Sequence, residues 1–223
     1  MANSLRILVV DDDPLVRDAY RAFFSQHPEY EVAGEARNGA EGVAAYTSMK
    51  PDVVLMDLQM PVMNGIEAIK EICRQHPDAC IVAMTTFGTS GHIVTALRAG
   101  ASGYLTKDVG GPGLLEGLRQ AVEGDMPLSG NVRRELVGVV ASERAPVPAT
   151  ALRLTPREKE LLSLVAQGLT NQQIGAKVYL SEGSIKQHLL SIGVKFNIRS
   201  RTGIVIKAVQ LGLIDPHALP PIT

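Results

Sequence analysis

Three short runs of apolar residues constrain this chain most: Leu5-Arg6-Ile7-Leu8-Val9-Val10, Pro51-Asp52-Val53-Val54-Leu55-Met56 and Cys80-Ile81-Val82-Ala83-Met84. They carry too little polar alternation for a sheet with one wet face, so they suit strands buried on both sides. Between them lie helix-period segments. Val16, Ala19, Tyr20 and Phe23 recur at i, i+3, i+4 and i+7, with Asp13 placed to cap that helix and Pro14 at its first position. Ile66, Ile69 and Cys73 make a second stripe, and Ile93, Ala96 and Leu97 a third. Weaker strand signals span Tyr30 to Ala36 and Gly103 to Thr106. Strands alternating with helices over the first ~125 residues predict an α/β domain built on a doubly wound, five-stranded parallel sheet.

The chain is long enough, at 223 residues, for a second modest domain. Residues 1–150 hold 13 Lys+Arg against 19 Asp+Glu, a balance of −6, whereas residues 151–223 hold 9 against 4, a balance of +5. An acidic half and a basic half point to two tasks, the second involving a polyanion. From Met126 to Ala151 the texture turns to Pro, Gly, Ser and Ala; the section from Glu143 onward reads as an exposed linker, and Asn131 to Ala141 is expected to add a short helix. Beyond it, Thr155-Pro156-Arg157-Glu158 and Thr170-Asn171-Gln172-Gln173 are capping boxes, Ser181 can cap a third helix to about Phe196, and Ser200 a fourth that stops at Gly212. Short helices joined by tight connections at Gly168 and Leu180-Ser181 predict a small all-α four-helix domain containing a helix-turn-helix.

The longest apolar runs fall far short of the ~18 residues of a membrane span, and the N-terminus has no signal-peptide pattern. Hydrophobic residues at 45% and charged residues at 20% fit a folded protein. Cys73 and Cys80 are too few for a disulfide framework or a cysteine zinc site and are expected as buried, reduced thiols. The expected location is the cytoplasm.

The acidic residues of the first domain gather at strand ends. Asp11 and Asp12 follow the first strand and Asp57 closes the third. In a parallel sheet such ends line one edge, where ligands bind. Three converging carboxylates repel one another and call for a hard divalent cation, Mg²⁺ above all. Thr85 and Lys107 end the fourth strand and follow the fifth, adding a hydroxyl and an ammonium to the same edge. Taken singly these residues are ordinary: Asp13 is accounted for as a cap, Asp11 or Asp12 as a turn residue, Lys107 as a solvated charge. Together they suit receipt of a phosphoryl group by a carboxylate.

The segments Val9-Val10-Asp11-Asp12-Asp13-Pro14-Leu15-Val16-Arg17, Asp57-Leu58-Gln59-Met60-Pro61-Val62-Met63-Asn64-Gly65 and Ala99-Gly100-Ala101-Ser102-Gly103-Tyr104-Leu105-Thr106-Lys107 resemble the receiver domain of bacterial two-component response regulators, a flavodoxin-like fold. Leu154-Thr155-Pro156-Arg157-Glu158, Ile174-Gly175-Ala176 and Leu180-Ser181-Glu182-Gly183-Ser184-Ile185-Lys186-Gln187-His188 resemble the LuxR-type output domain of the NarL/FixJ group. The resemblance implies a receiver at residues 1–126, a linker at 127–151 and a DNA-binding domain at 152–223. It implies that Asp57 accepts the phosphoryl group and that Asp11, Asp12, Asp57 and the Gln59 carbonyl hold Mg²⁺. Lys107 would contact the phosphoryl group, and Thr85 and Tyr104 would form a switch pair. One departure stands out: Gly110-Gly111-Pro112-Gly113 and Gly117 occupy the last receiver helix, at ~1 kcal/mol per helical glycine, so that helix is expected to start late and be soft.

In the third C-terminal helix, Ile185, Leu189, Ile192 and Phe196 form the stripe that must face the core. Ser184, Lys186, Gln187 and Leu190 lie off it and are the candidates for reading DNA; Lys195, Arg199 and Arg201 are candidate phosphate contacts, although isolated surface cations are more often merely solvated. Gly193 either permits a close backbone approach or weakens the helix. The expected function is a transcription regulator, not an enzyme. It takes a phosphoryl group on Asp57 from a sensor histidine kinase and binds double-stranded DNA, as a homodimer when active and without membrane association. The competing reading, a DNA-binding regulator governed by a small molecule or protein partner, would tolerate loss of Asp57. An oxidoreductase or hydrolase on the same sheet is disfavoured, because G-x-G-x-x-G, G-x-x-x-x-G-K-[ST] and G-x-S-x-G are all absent.

Overall fold

A computed structural model describes residues 4–86, 90–125, 127–128, 154–196, 198 and 201–214. The expected short helix at Asn131 to Ala141, the linker from Glu143, the Ser200 cap and Arg199 lie outside the described residues.

Five strands, β1 (Leu5–Val10), β2 (Tyr30–Ala36), β3 (Val53–Asp57), β4 (Ile81–Thr85) and β5 (Gly103–Thr106), form one parallel sheet in the order β2-β1-β3-β4-β5. β3 and β4 are buried at every position, as their unbroken apolar runs require. Helices α1 (Pro14–Phe24), α2 (Gly39–Met49), α3 (Gly65–Gln75), α4 (Ser90–Ala99) and α5 (Gly110–Glu123) connect and follow them. Asp13 caps α1 as expected, accepting the Leu15 N–H at 2.8 Å, with Pro14 at the first position.

The glycine-rich α5 departs from expectation: it begins at Gly110 and runs unbroken to Glu123. Its glycines let the backbone come close to neighbours. A Cβ on Gly111 would stand 2.7 Å from the Phe23 ring, and one on Gly117 would stand 2.7 Å from Leu105 Cδ1. Packing against α1 and β5 therefore offsets the propensity cost. Cys73 and Cys80 are free thiols but only half-buried, with burial pushing them up to about 11 and about 12 respectively.

In the C-terminal half, α6 (Pro156–Ala166), α7 (Asn171–Val178), α8 (Glu182–Phe196) and α9 (Arg201–Gln210) pack around Leu161, Leu162, Val165, Ile174, Ile185, Leu189, Ile192 and Ile204. Both capping boxes form, at Thr155 with Glu158 and at Thr170 with Gln173. Ser181 accepts the Ser184 N–H at 3.2 Å at the start of α8. Gly193 is a close-approach position: the Ile198 N–H donates to its carbonyl at 2.8 Å, and a Cβ there would meet the Ile198 carbonyl oxygen at 2.4 Å. α9 also packs against α4, so one buried apolar cluster continues from the sheet domain into the helical one.

Candidate functional site

The strand order 2-1-3-4-5 reverses direction between β1 and β3, and that switch point is where a parallel sheet opens a crevice at its C-terminal edge. Asp11 and Asp12 leave β1 there, and Asp57 ends the neighbouring β3. One carboxylate oxygen from each of the three lies within 4.8 Å of the others. Asp11 is 2% exposed and Asp57 6%, whereas Asp12 faces solvent. The backbone fixes the set: Asp13 N–H donates to Asp11 Oδ1 at 3.0 Å, Gln59 N–H to Asp57 Oδ2 at 3.2 Å, and Arg17 holds the Asp11 carbonyl at 2.7 Å.

Lys107 reaches into this group from beyond β5. Its Nζ stands 2.7 Å from Asp11 Oδ2 and 3.1 Å from Asp57 Oδ1, while its N–H donates to the Thr85 carbonyl at 2.7 Å. Burial raises the proton affinity of Asp57, and the charge and hydrogen bond of Lys107 offset this only in part, so its pKa is raised. Burial works against the Lys107 ammonium too, but the hydrogen bond to Asp11 and the nearby carboxylate charges outweigh it, and its pKa is raised. Three carboxylates against one ammonium leave an excess of two negative charges, which a divalent cation would balance. Ligands of Mg²⁺ at ~2.1 Å stand ~3–4 Å from one another, a spread that the three carboxylates accommodate.

Thr85 and Tyr104 lie on adjacent strands near this edge and are buried, at 4% and 0% exposure. A cavity of about 620 Å³ opens beside the acidic group, lined among others by Asp12, Gln59, Pro61, Glu67 and His92. Gln59, whose carbonyl was expected to serve the ion, is exposed at the mouth. Arg17 closes the first receiver-like stretch of the sequence, where no role is assigned to it; its use as a strut for the Asp11 backbone has no local signature.

On α8 the predicted core stripe Ile185, Leu189, Ile192 and Phe196 is buried, and Lys186, Gln187 and Leu190 are exposed, Leu190 at 63%. Ser184 is half-buried and hydrogen-bonded to Ser181. Two candidate phosphate contacts are engaged within the protein. Lys195 Nζ bonds both oxygens of the buried Glu158 at 2.7 Å. These bonds and those from Thr155 outweigh the burial of Glu158, holding its carboxyl below the usual range. Arg201 is 9% exposed and lies 3.6 Å from Asp125, which belongs to the sheet domain. Burial lowers the Arg201 guanidinium to about 10 despite that partner. The Asp125 carboxyl is raised, again by burial before all else. Neither Glu158 nor Asp125 was singled out as a partner from sequence.

Residues 7–119 match the family described as the response regulator receiver domain, and residues 152–208 match the bacterial regulatory proteins of the luxR family. The nitrate/nitrite response regulator protein NarL of Escherichia coli K12 is 36% identical over 87% of this chain and 90% of its own length. The transcriptional regulatory protein LiaR of Bacillus subtilis is 36% identical over 95% of this chain and 100% of its own. Among solved structures, the response regulator ChrA of a heme-sensing two-component system superposes with a TM-score of 0.52 at 32% identity, covering 95% of this chain and 99% of that one. Among the described residues, no helix is long and apolar enough to cross a membrane. The acidic edge and the helix-turn-helix thus have their counterparts in one group of proteins, and the chain belongs to it: it is a response regulator of the NarL/FixJ group, a receiver domain joined to a LuxR-type DNA-binding domain.

Proposed function

We propose that this transcription regulator is switched by phosphorylation of Asp57, with a sensor histidine kinase as the donor. The observation that carries this reading is the placement of Lys107 between Asp11 and Asp57, at 2.7 and 3.1 Å, beside a carboxylate set with room for a divalent ion. Asp57 supplies the nucleophilic oxygen. Its attack forms an acyl phosphate as the phosphorus–nitrogen bond to the donor histidine breaks and the electron pair leaves with that nitrogen. Asp11, Asp12, Asp57 and the Gln59 carbonyl would hold Mg²⁺, which supplies charge neutralisation for the phosphoryl oxygens. Lys107 exchanges its ion pair with Asp57 for one with the phosphoryl group, and Thr85 supplies a hydroxyl donor at the same edge. Tyr104, on the neighbouring strand, carries the change outward as the second half of the switch.

In this reading the protein works in the cytoplasm on double-stranded DNA, as a homodimer once phosphorylated. The exposed face of α8 enters the major groove: Lys186 suits guanine, Gln187 adenine, Leu190 a thymine methyl, with Ser184, Arg199 and Arg201 toward the backbone. The relative NarL, named as a nitrate/nitrite response regulator, supports the assignment, being 36% identical over 87% of this chain and 90% of its own length. A binding titration on a duplex selected from a random pool tests it. Treatment with Mg²⁺ and a small acyl phosphate should tighten binding by the wild type and leave Asp57→Ala unaffected. Equal tightening in both would transfer the switch to another input, a small molecule or a partner.

A further inference from the structure

The turn inside the helix-turn-helix carries a side chain that its own backbone disfavours. Helix α7 ends on Val178, and Tyr179 follows it in the left-handed region, with φ at 57°. The surrounding hydrogen bonds impose that conformation. The N–H groups of Tyr179 and Leu180 both donate to the Gly175 carbonyl, the second at 3.0 Å. A Cβ on Gly175 would stand 2.5 Å from the Leu180 carbonyl oxygen, so the chain folds back directly over α7. Arg157 Nη2 holds the Val178 carbonyl at 2.8 Å, and Ser181 accepts the Ser184 N–H as α8 begins. Glycine adopts this backbone freely, whereas an aromatic residue there costs stability. Burial of the ring would offset the cost, but Tyr179 is 94% exposed. The other four tyrosines of the chain, Tyr20, Tyr30, Tyr46 and Tyr104, are buried or half-buried. A strained and exposed aromatic is accounted for by a contact outside the chain.

The place of the turn says what that contact is with. In a helix-turn-helix the first helix crosses the sugar-phosphate backbone and the N-terminal residues of the second reach base edges, so the turn between them stands at the rim of the groove. Tyr179 lies between Lys177, exposed in the last turn of α7, and Lys186 and Gln187, exposed near the start of α8. Phosphate oxygen is the acceptor that suits two ammonium groups and a phenol alike. We propose that Tyr179 anchors the protein to DNA, its hydroxyl donating a hydrogen bond to a backbone phosphate oxygen and its ring lying against the adjoining sugar. The proposal rests on the reading above, in which α8 enters the major groove, and adds a contact that sets its depth. A phenol is neutral, so unlike a lysine it releases no counterion when it meets a phosphate. A contact to the backbone also carries no base preference. Because the turn is already fixed by its own hydrogen bonds, little backbone ordering is left to oppose binding.

The test uses the full chain, treated with Mg²⁺ and a small acyl phosphate, and a duplex that the treated wild type selects from a random pool. Tyr179→Phe should weaken binding ~3-fold per subunit and ~10-fold for a dimer, one hydrogen bond being lost at each half-site. Tyr179→Gly, which removes the ring as well, should weaken it ~30-fold for a dimer. The glycine should nonetheless raise the melting temperature by ~2 °C, since the left-handed backbone is relieved. In both variants the slope of log K against log salt and the ranking of single-base variants of the duplex should match the wild type. Tetranitromethane should nitrate Tyr179 ahead of the four less exposed tyrosines, and the duplex should protect it, as peptide mass spectrometry reads. Unchanged affinity in either variant, while the wild type binds, overturns the contact and leaves the proposed function standing. Nitration of Tyr179 that the duplex does not slow overturns it too, and turns the ring toward a protein partner. Weaker binding by Tyr179→Gly together with a lowered melting temperature also overturns it, making the ring a part of the fold. Failure of the treated wild type to select any duplex overturns both the contact and the reading on which it rests.

Discussion

The two halves of the molecule handle charge in opposite ways. At the sheet edge, among the described residues, Lys107 is the cation paired with Asp11 and Asp57, with Asp12 beside them, and the group is left with an excess of negative charge. In the helical half two cations each meet one buried carboxylate: Lys195 meets Glu158, and Arg201 meets Asp125 of the sheet domain. Unbalanced charge held in fixed geometry is unstable without a ligand, so the first arrangement is built to take one. Balanced charge is already satisfied, so the second arrangement holds the structure together until something displaces a partner. It is the imbalance, more than the number of charged residues, that separates a binding site from a fastening.

That contrast can be broken most forcefully at Lys195. Were it a solvated phosphate contact, Lys195→Ala would leave stability unchanged. Because it neutralises a buried Glu158, the substitution should destabilise the helical domain by ~2 kcal/mol, less than a fully buried pair would lose since Lys195 is about a third exposed. Denaturant unfolding checks this, and Lys195→Met combined with Glu158→Gln should recover most of the loss. A smaller effect is expected at the sheet edge: Mg²⁺ at ten times its Kd should add ~1.4 kcal/mol of stability by mass action. The melting temperature should rise with Mg²⁺ in the wild type and not in Asp12→Ala; a rise that survives that substitution would mean the ion binds elsewhere. The smallest effect is on α8, where Leu190 is exposed and uncharged. Losing its contact with a thymine methyl should cost ~0.8 kcal/mol, about fourfold in affinity for the preferred base, with other positions of the site unmoved. Competition binding against single-base variants of the duplex would measure it.

What could be read from sequence follows the same division. Strands β1, β2 and β5 coincide with their predicted spans, and β3 and β4 lie within two residues of theirs at each end; in β1, β3 and β4 the apolar runs report burial directly. The caps at Asp13, Thr155 and Thr170 were visible for a related reason: capping is local in the chain. Helix α2 gave no apolar stripe, since it buries Gly39, Gly42 and Tyr46, and small residues packed close carry little hydrophobic signal. Asp11, Asp12, Asp57 and Lys107 could be grouped because a parallel sheet brings strand ends to one edge whatever the loops do. No comparable rule pairs Glu158 with Lys195, 37 residues apart, or Asp125 with Arg201 across two domains. Those cations looked free in sequence because their carboxylates arrive by tertiary packing. The glycines of α5 misled for the same reason, their value lying in contacts with Phe23 and Leu105 that propensity does not contain.

The central claim is that Asp57 is the acceptor of the switch. Intact-mass spectrometry after incubation with Mg²⁺ and a small acyl-phosphate donor tests it most directly. The account predicts addition of one phosphoryl group to the wild type and none to Asp57→Ala. It also predicts that Lys107→Ala, which removes the cation between Asp11 and Asp57, slows the addition without moving it to another residue. A phosphoryl group that still appears on Asp57→Ala, or fails to appear on the wild type, would contradict it.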